Sequence, residues 1–218
     1  MKLSQRKTVS ESKITFHNEF QYVIPAVYRR VIDEFIVELN LLRNQSEFLE
    51  DHLFSLGLVK SFEDLTEGYK PSSHKDGLIK AICKSTGFDI NNIEALSKTI
   101  ISKSIKLAEE ANGQSLESNK KIVEILVEEF KINKKNYYSR ITGIGFFIFC
   151  SNAFGEQKDD LKPILNLAEE MGFKKERLEK DINLYKNSLD KMKKVMELID
   201  LNIKEEKKRA KRREEGKK

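Results

Sequence analysis

A chain of 218 residues with 39% apolar content can bury one sizeable core but is short for two independent full-sized domains. A charged fraction of 34%, three prolines and no tryptophan favour amphipathic helices over turn-rich sandwiches, so the expected fold class is all-α. The net charge of +5 would suggest nucleic-acid binding, but residues 204–218 carry nine basic side chains against four acidic ones and so hold all of it, leaving the rest balanced.

Cys83 and Cys150 lie far apart and have no zinc-like spacing, which argues against a disulfide framework or a metal cluster. The opening residues MKLSQRKTVS have neither the apolar centre of a signal peptide nor the make-up of a transit leader, so no cleaved targeting segment is expected. The most apolar run, Ile141–Cys150, is ten residues long. A membrane-spanning helix needs about 20, so this run reads as a buried helix.

In chain order, Thr8 and Glu11 have the spacing of a capping box and predict a first helix through Phe16 and Phe20. Pro25 restarts the chain. Val27, Tyr28, Val31, Ile32, Phe35, Ile36, Leu39 and Leu42 then recur at helical steps, with Arg29, Arg30, Asp33, Glu34 and Glu38 on the other side. A third helix carries Leu53 to Leu65 and is ended by the GYKP turn, Gly68 to Pro71. Further helices are predicted at about 75–85, 91–111, 116–132, 137–151 and 159–171, with separators containing Gly87, Gly113, Gly155 or Gly172. Such short connections make a compact multi-helix bundle.

The last helix differs. Leu178, Ile182, Tyr185, Leu189, Met192, Met196, Ile199 and Ile203 repeat at alternating four- and three-residue steps, the period of a coiled-coil-like seam. Burial is worth roughly 1.5 to 3 kcal/mol per such side chain, too much to leave in water. The seam must rest on the bundle, on a second copy or on another protein. The expected organisation is a helical bundle over 1–172 and a long C-terminal helix with a basic tail over 173–218.

No chemistry-bearing constellation accompanies these helices. His17, His52 and His74 fall in different predicted segments and form neither HExxH nor ExxH. The adjacent pairs Glu109–Glu110, Glu128–Glu129 and Asp159–Asp160 point about 100° apart on a helix and read as solvated faces. Arg29 with Asp33, and Arg30 with Glu34, have the spacing of surface ion pairs. Gly143 and Gly145 lack the preceding strand of a phosphate-binding turn and point to close helix packing. No aromatic follows Tyr185, so the basic tail lacks stacking groups and no nucleic-acid partner is expected. The residues thus suggest a non-enzymatic helical scaffold with no cofactor.

Several segments carry a resemblance that goes further. TVSESKITFHNEF, IPAVYRRVIDEFIVELNLL and FSLGLVKSFEDLTEGYKP in the first half, and KNYYSRITGIGFF and LEKDINLYKNSLDKMKKVMELI in the second, resemble the thylakoid formation family, also called the photosystem II biogenesis protein family. The likeness spans nearly the whole chain and is weakest at about 89–119. It implies a peripheral thylakoid protein of cyanobacterial type, facing the cytoplasm. Its implied role is to support photosystem II assembly and repair in association with FtsH-type membrane protease complexes, without catalytic residues. Tyr28, Arg29, Arg30, Glu38, Gly68, Tyr69, Tyr138, Ser139 and Arg140 match recurring family positions. With Tyr185, Met192 and Met196 of the seam, they are the candidate partner-binding residues. An electrostatic membrane-surface scaffold and a pigment-binding helper are the alternatives, and self-association through the last helix is a further possibility.

Overall fold

A computed structural model describes residues 6–111, 119–154 and 161–215, and among these residues the chain forms nine α-helices and no strand. Helix α1 (Val9–Glu19) opens with the expected capping box: the Thr8 hydroxyl accepts from the Glu11 N–H at 3.2 Å, and the Glu11 carboxylate accepts from the Thr8 N–H at 2.7 Å. Helix α2 (Ala26–Arg43) follows Pro25 directly. Asp51 caps α3 (His52–Leu65), its carboxylate accepting from the Phe54 N–H at 2.8 Å. Then come α4 (Lys75–Thr86), α5 (Ile90–Ala111), α6 (Asn119–Glu124), α7 (Arg140–Ala153), α8 (Leu161–Glu170) and α9 (Lys175–Glu215).

Two predicted helices change. The helix expected over 116–132 is α6, followed by a wider turn at Ile125–Glu129 in which the Phe130 N–H reaches back five residues to the Ile125 carbonyl at 3.0 Å. Lys131 then takes a left-handed backbone (φ 53°), which ends helical propagation. The helix expected from Tyr137 begins at Arg140, because the Ser139 hydroxyl accepts from the Thr142 N–H and so caps it there. The predicted starts at Leu116 and Asp159, together with Gly113 and Gly155, lie outside the described residues.

The apolar interior has two parts, and α3 belongs to both. Leu53 and Leu56 pack with α5, α7, α8 and α9, whereas Phe54, Leu58 and Phe62 pack with α1, α2 and α4. A helix apolar on all sides has to sit at the centre of a fold. Its position is set by contact with α7. A Cβ on Gly57 would overlap the Ile141 carbonyl oxygen, and one on Gly145 would overlap the Leu53 carbonyl oxygen, so the two helices cross with their backbones touching. Close packing was the sequence reading of Gly145; its counterpart on α3 is Gly57.

The bundle itself provides the surface for the first part of the seam. Leu178, Ile182 and Tyr185 are buried with α3, α7 and α8, Leu189 packs beside them, and Met192 and Met196 pack against the other part of the core. The first half of α9 therefore shares its core with residues N-terminal to 172. The Met196 sulfur lies 3.3 Å from the Tyr28 hydroxyl. Its methyl lies 2.7 Å from where a Cβ on Gly68 would be, in a turn whose φ of 75° already favours glycine. Beyond this point Ile199 is still half-buried, but its apolar neighbours face solvent: Leu198 is 61% exposed, Leu201 57% and Ile203 40%.

These contacts separate one glycine from the others. Gly145→Ala and Gly57→Ala should each lower stability by about 3 kcal/mol or more, at or above the upper end for overpacking, because the colliding atoms are backbone. Gly77→Ala on α4, where the nearest atom is a Phe20 ring carbon at 3.8 Å, should be neutral or stabilising by up to ~1 kcal/mol. Urea unfolding of the three variants measures both effects.

Candidate functional site

The polar face of α2 meets the N-terminal end of α7. Arg30 pairs with Glu34 at 2.9 Å, as its spacing predicts. Arg29 and Asp33 do not pair. Asp33 instead takes Lys13 of α1 at 2.9 Å, and the Arg29 Nε donates to the Ile24 carbonyl at 3.1 Å. The contact absent from the sequence reading is Glu38 with Arg140, at 2.5 Å and across 102 residues of chain. No local pattern signals it, since the i,i+4 rule compares residues of one helix only.

This ion pair stands between two hollows. On one side a cavity of about 230 Å³ lies under α9, lined by apolar side chains of α2, α7 and α9 including Val31, Ile144 and Met192, and bordered by Tyr185. On the other an open groove of about 750 Å³ runs between α2 and the 137–140 segment, with Arg177 of α9 along it. Arg30, Glu34, Glu38 and Arg140 line both. The Glu38 side chain is 19% exposed and that of Arg140 40%. Burial raises the Glu38 carboxyl above its ordinary value, and Arg140 opposes the rise without cancelling it.

Tyr138 braces the groove from below. Its hydroxyl donates to Asp181 of α9 at 2.8 Å, and the Arg177 guanidinium lies over its ring at 4.6 Å. Burial, and then the Asp181 contact, push the phenol well above the usual tyrosine range, so it stays a donor at neutral pH. The remaining candidates gather elsewhere. Tyr28 and Gly68 form the seat of Met196, and the Tyr69 ring lies 5.0 Å from that of Tyr28, whose hydroxyl donates to the Glu67 carbonyl at 2.9 Å. Tyr185 donates to Asp64 of α3. Tyr28, Tyr69, Ser139 and Tyr185 are buried in contacts within the chain, while Arg29 and Arg30 are exposed. Both cysteines are buried, and burial pushes the Cys83 thiol up to about 12. Among the described residues no three of His, Cys, Asp or Glu are grouped to hold a metal ion, and no helix is long and apolar enough to cross a membrane.

The family model for thylakoid formation protein matches residues 8–214, which takes in both halves of this site. The chain belongs to the thylakoid formation protein family. Protein Thf1 of Prochlorococcus marinus strain MIT 9211 is 46% identical over 220 residues, covering 97% of this chain and 96% of that one. Protein Thf1 of Synechococcus sp. strain CC9605 is 34% identical over 216 residues, with 97% and 95% covered. A solved structure of Psb29 superposes with a TM-score of 0.76 at 26% identity, over 93% of this chain and 98% of that one. Membership in this family makes the chain an accessory protein of thylakoid formation and photosystem II biogenesis with an all-α fold.

Removing Arg140 should leave the Glu38 carboxylate half-buried and unpaired. Arg140→Ala should cost about 1–3 kcal/mol, less than for a fully buried pair because Arg140 is 40% exposed. It also removes the charge that holds the Glu38 value down, so NMR titration should show that carboxyl moving further up. A carboxyl raised in the folded state keeps its proton longer there than when unfolded. Its contribution to stability is therefore greatest at low pH and declines as pH rises through the ordinary carboxylate range to the raised value. The decline should be steeper in Arg140→Ala.

Proposed function

We propose that this chain is a non-enzymatic adaptor at the cytoplasmic face of the thylakoid membrane, one that supports photosystem II assembly and repair by associating with and stabilising FtsH-type protease complexes. The observation that carries this reading is the distal part of α9. Past the half-buried Ile199 the helix continues to Glu215, about 24 Å at 1.5 Å per residue. It bears Leu198, Leu201 and Ile203 in the open and then a basic run from Lys204. An exposed apolar strip on a rigid helix gains free energy only by covering itself with something else.

The basic run following these exposed apolar residues also favours a second reading, contact with an anionic membrane surface. One truncation tests both. Ending the chain after Glu197 removes the distal helix but keeps Leu178, Ile182, Tyr185 and Met196, so the unfolding midpoint should change little. Affinity isolation from illuminated thylakoid membranes should then lose the protease subunits retained by the full chain. Full retention would remove distal α9 from the mechanism. Under the second reading, the full chain sediments with phosphatidylglycerol vesicles at low salt, and high salt or the truncation abolishes this.

A further inference from the structure

The groove between α2 and the 137–140 segment has an uneven charge pattern. Three carboxylates line it, and each has a cation beside it: Asp33 has Lys13, Glu34 has Arg30 and Glu38 has Arg140. Two guanidiniums that line the same groove, Arg29 and Arg177, have no carboxylate partner among the described residues. Arg29 uses its Nε on the Ile24 carbonyl, which leaves both terminal amino groups of this exposed side chain without a hydrogen bond among the described residues. Arg177 lies flat on the Tyr138 ring, and the nearby Asp181 carboxylate is engaged by the Tyr138 hydroxyl. Each guanidinium thus presents a planar fork of donors, the geometry that takes a carboxylate through two hydrogen bonds.

The groove is also partly apolar. Val37 and Leu41 of α2 line it, and Leu41 is 61% exposed. A free phosphate or a lipid headgroup would leave these side chains uncovered. A peptide with carboxylates at intervals and a leucine or phenylalanine between them would cover all three features, and about 750 Å³ is within the range of grooves that hold a ligand of that size.

We propose that this groove is a docking site for an acidic segment of a partner protein, with Arg29 and Arg177 binding its carboxylates and Val37 and Leu41 its apolar side chain. The proposal rests on the adaptor reading, since a molecule that acts by contact needs a face shaped for a partner, and it assigns that face a chemistry. It adds a second contact to distal α9.

The test needs no protease. A display library of random eight-residue peptides is panned against the immobilised full chain, and the strongest binder is labelled with fluorescein and measured by fluorescence anisotropy. The recovered peptides should be rich in Asp and Glu with at least one large apolar residue. Arg29→Glu and Arg177→Glu should each weaken binding of the labelled peptide at least tenfold, and Leu41→Ala should weaken it less. Lys98→Glu on α5, a charge reversal outside the groove, should leave it unchanged. Thermal midpoints of Arg29→Glu, whose exposed side chain makes only the Ile24 hydrogen bond among the described residues, guard against a folding explanation. Recovered peptides without acidic bias, or equal binding by both arginine variants, would overturn the proposal. So would displacement of the peptide by phosphatidylglycerol vesicles that bind the wild type but not Arg29→Glu, which would give the groove to lipid headgroups. Failure here leaves the adaptor reading standing on α9 alone, and loss of that reading in the truncation test leaves the peptide result intact.

Discussion

Where α3 crosses α7, backbone lies on backbone, and this contact fixes the rest of the molecule. Gly57 and Gly145 each occupy the place where any side chain would strike a carbonyl of the other helix. The crossing buries α3 on all sides from Leu53 to Leu58 and lets it serve both parts of the core. It also brings the N-terminal end of α7 beside α2, which is what puts Arg140 within reach of Glu38. The charged face between α2 and α7 is thus a consequence of helix packing, and its residues hold their positions because two small residues let the helices approach.

Electrostatics then decides what that face offers. The body is close to neutral, and most of its surface ion pairs are exposed and contribute little to stability. The Glu38–Arg140 pair differs because it is partly dehydrated and stands between the cavity and the groove. Its value is positional. Desolvation works against the carboxylate, the guanidinium offsets part of that cost, and the result holds two chain-distant segments in one register. Tyr138 does the same for α9, joining Asp181 and Arg177 to the floor of the groove.

Much of the fold was legible because its determinants are local. Thr8 and Glu11 announced a helix start, the GYKP turn an end, and the repeat from Val27 to Leu42 a buried stripe, all from spacings within one turn or two. Gly145 is readable as a packing residue, whereas its partner Gly57 lies in an apolar run without a signal of its own, since nothing in sequence says which helices touch. The same limit governed the charges. Arg30 paired with Glu34 one turn away, but Asp33 chose Lys13 on another helix, and Glu38 a residue 102 positions distant. The resemblance singled out the 28–30 and 138–140 segments; only the structure showed that Arg29, Arg30, Ser139 and Arg140 border one groove while Tyr28 seats Met196.

The seam of α9 illustrates both sides. Its regular spacing implied one continuous role, yet the helix divides near Met196 into a part built into the core and a part that faces solvent. Native-state hydrogen exchange tests that division most directly. Amides of α9 from Leu178 to about Met196 should exchange as slowly as those of α3 and α7, opening only with the whole domain, while those beyond Ile199 should exchange orders of magnitude faster. Uniform protection along α9, or a proximal half as labile as the distal one, would contradict the picture of a helix anchored by the glycine-crossed core and free beyond it.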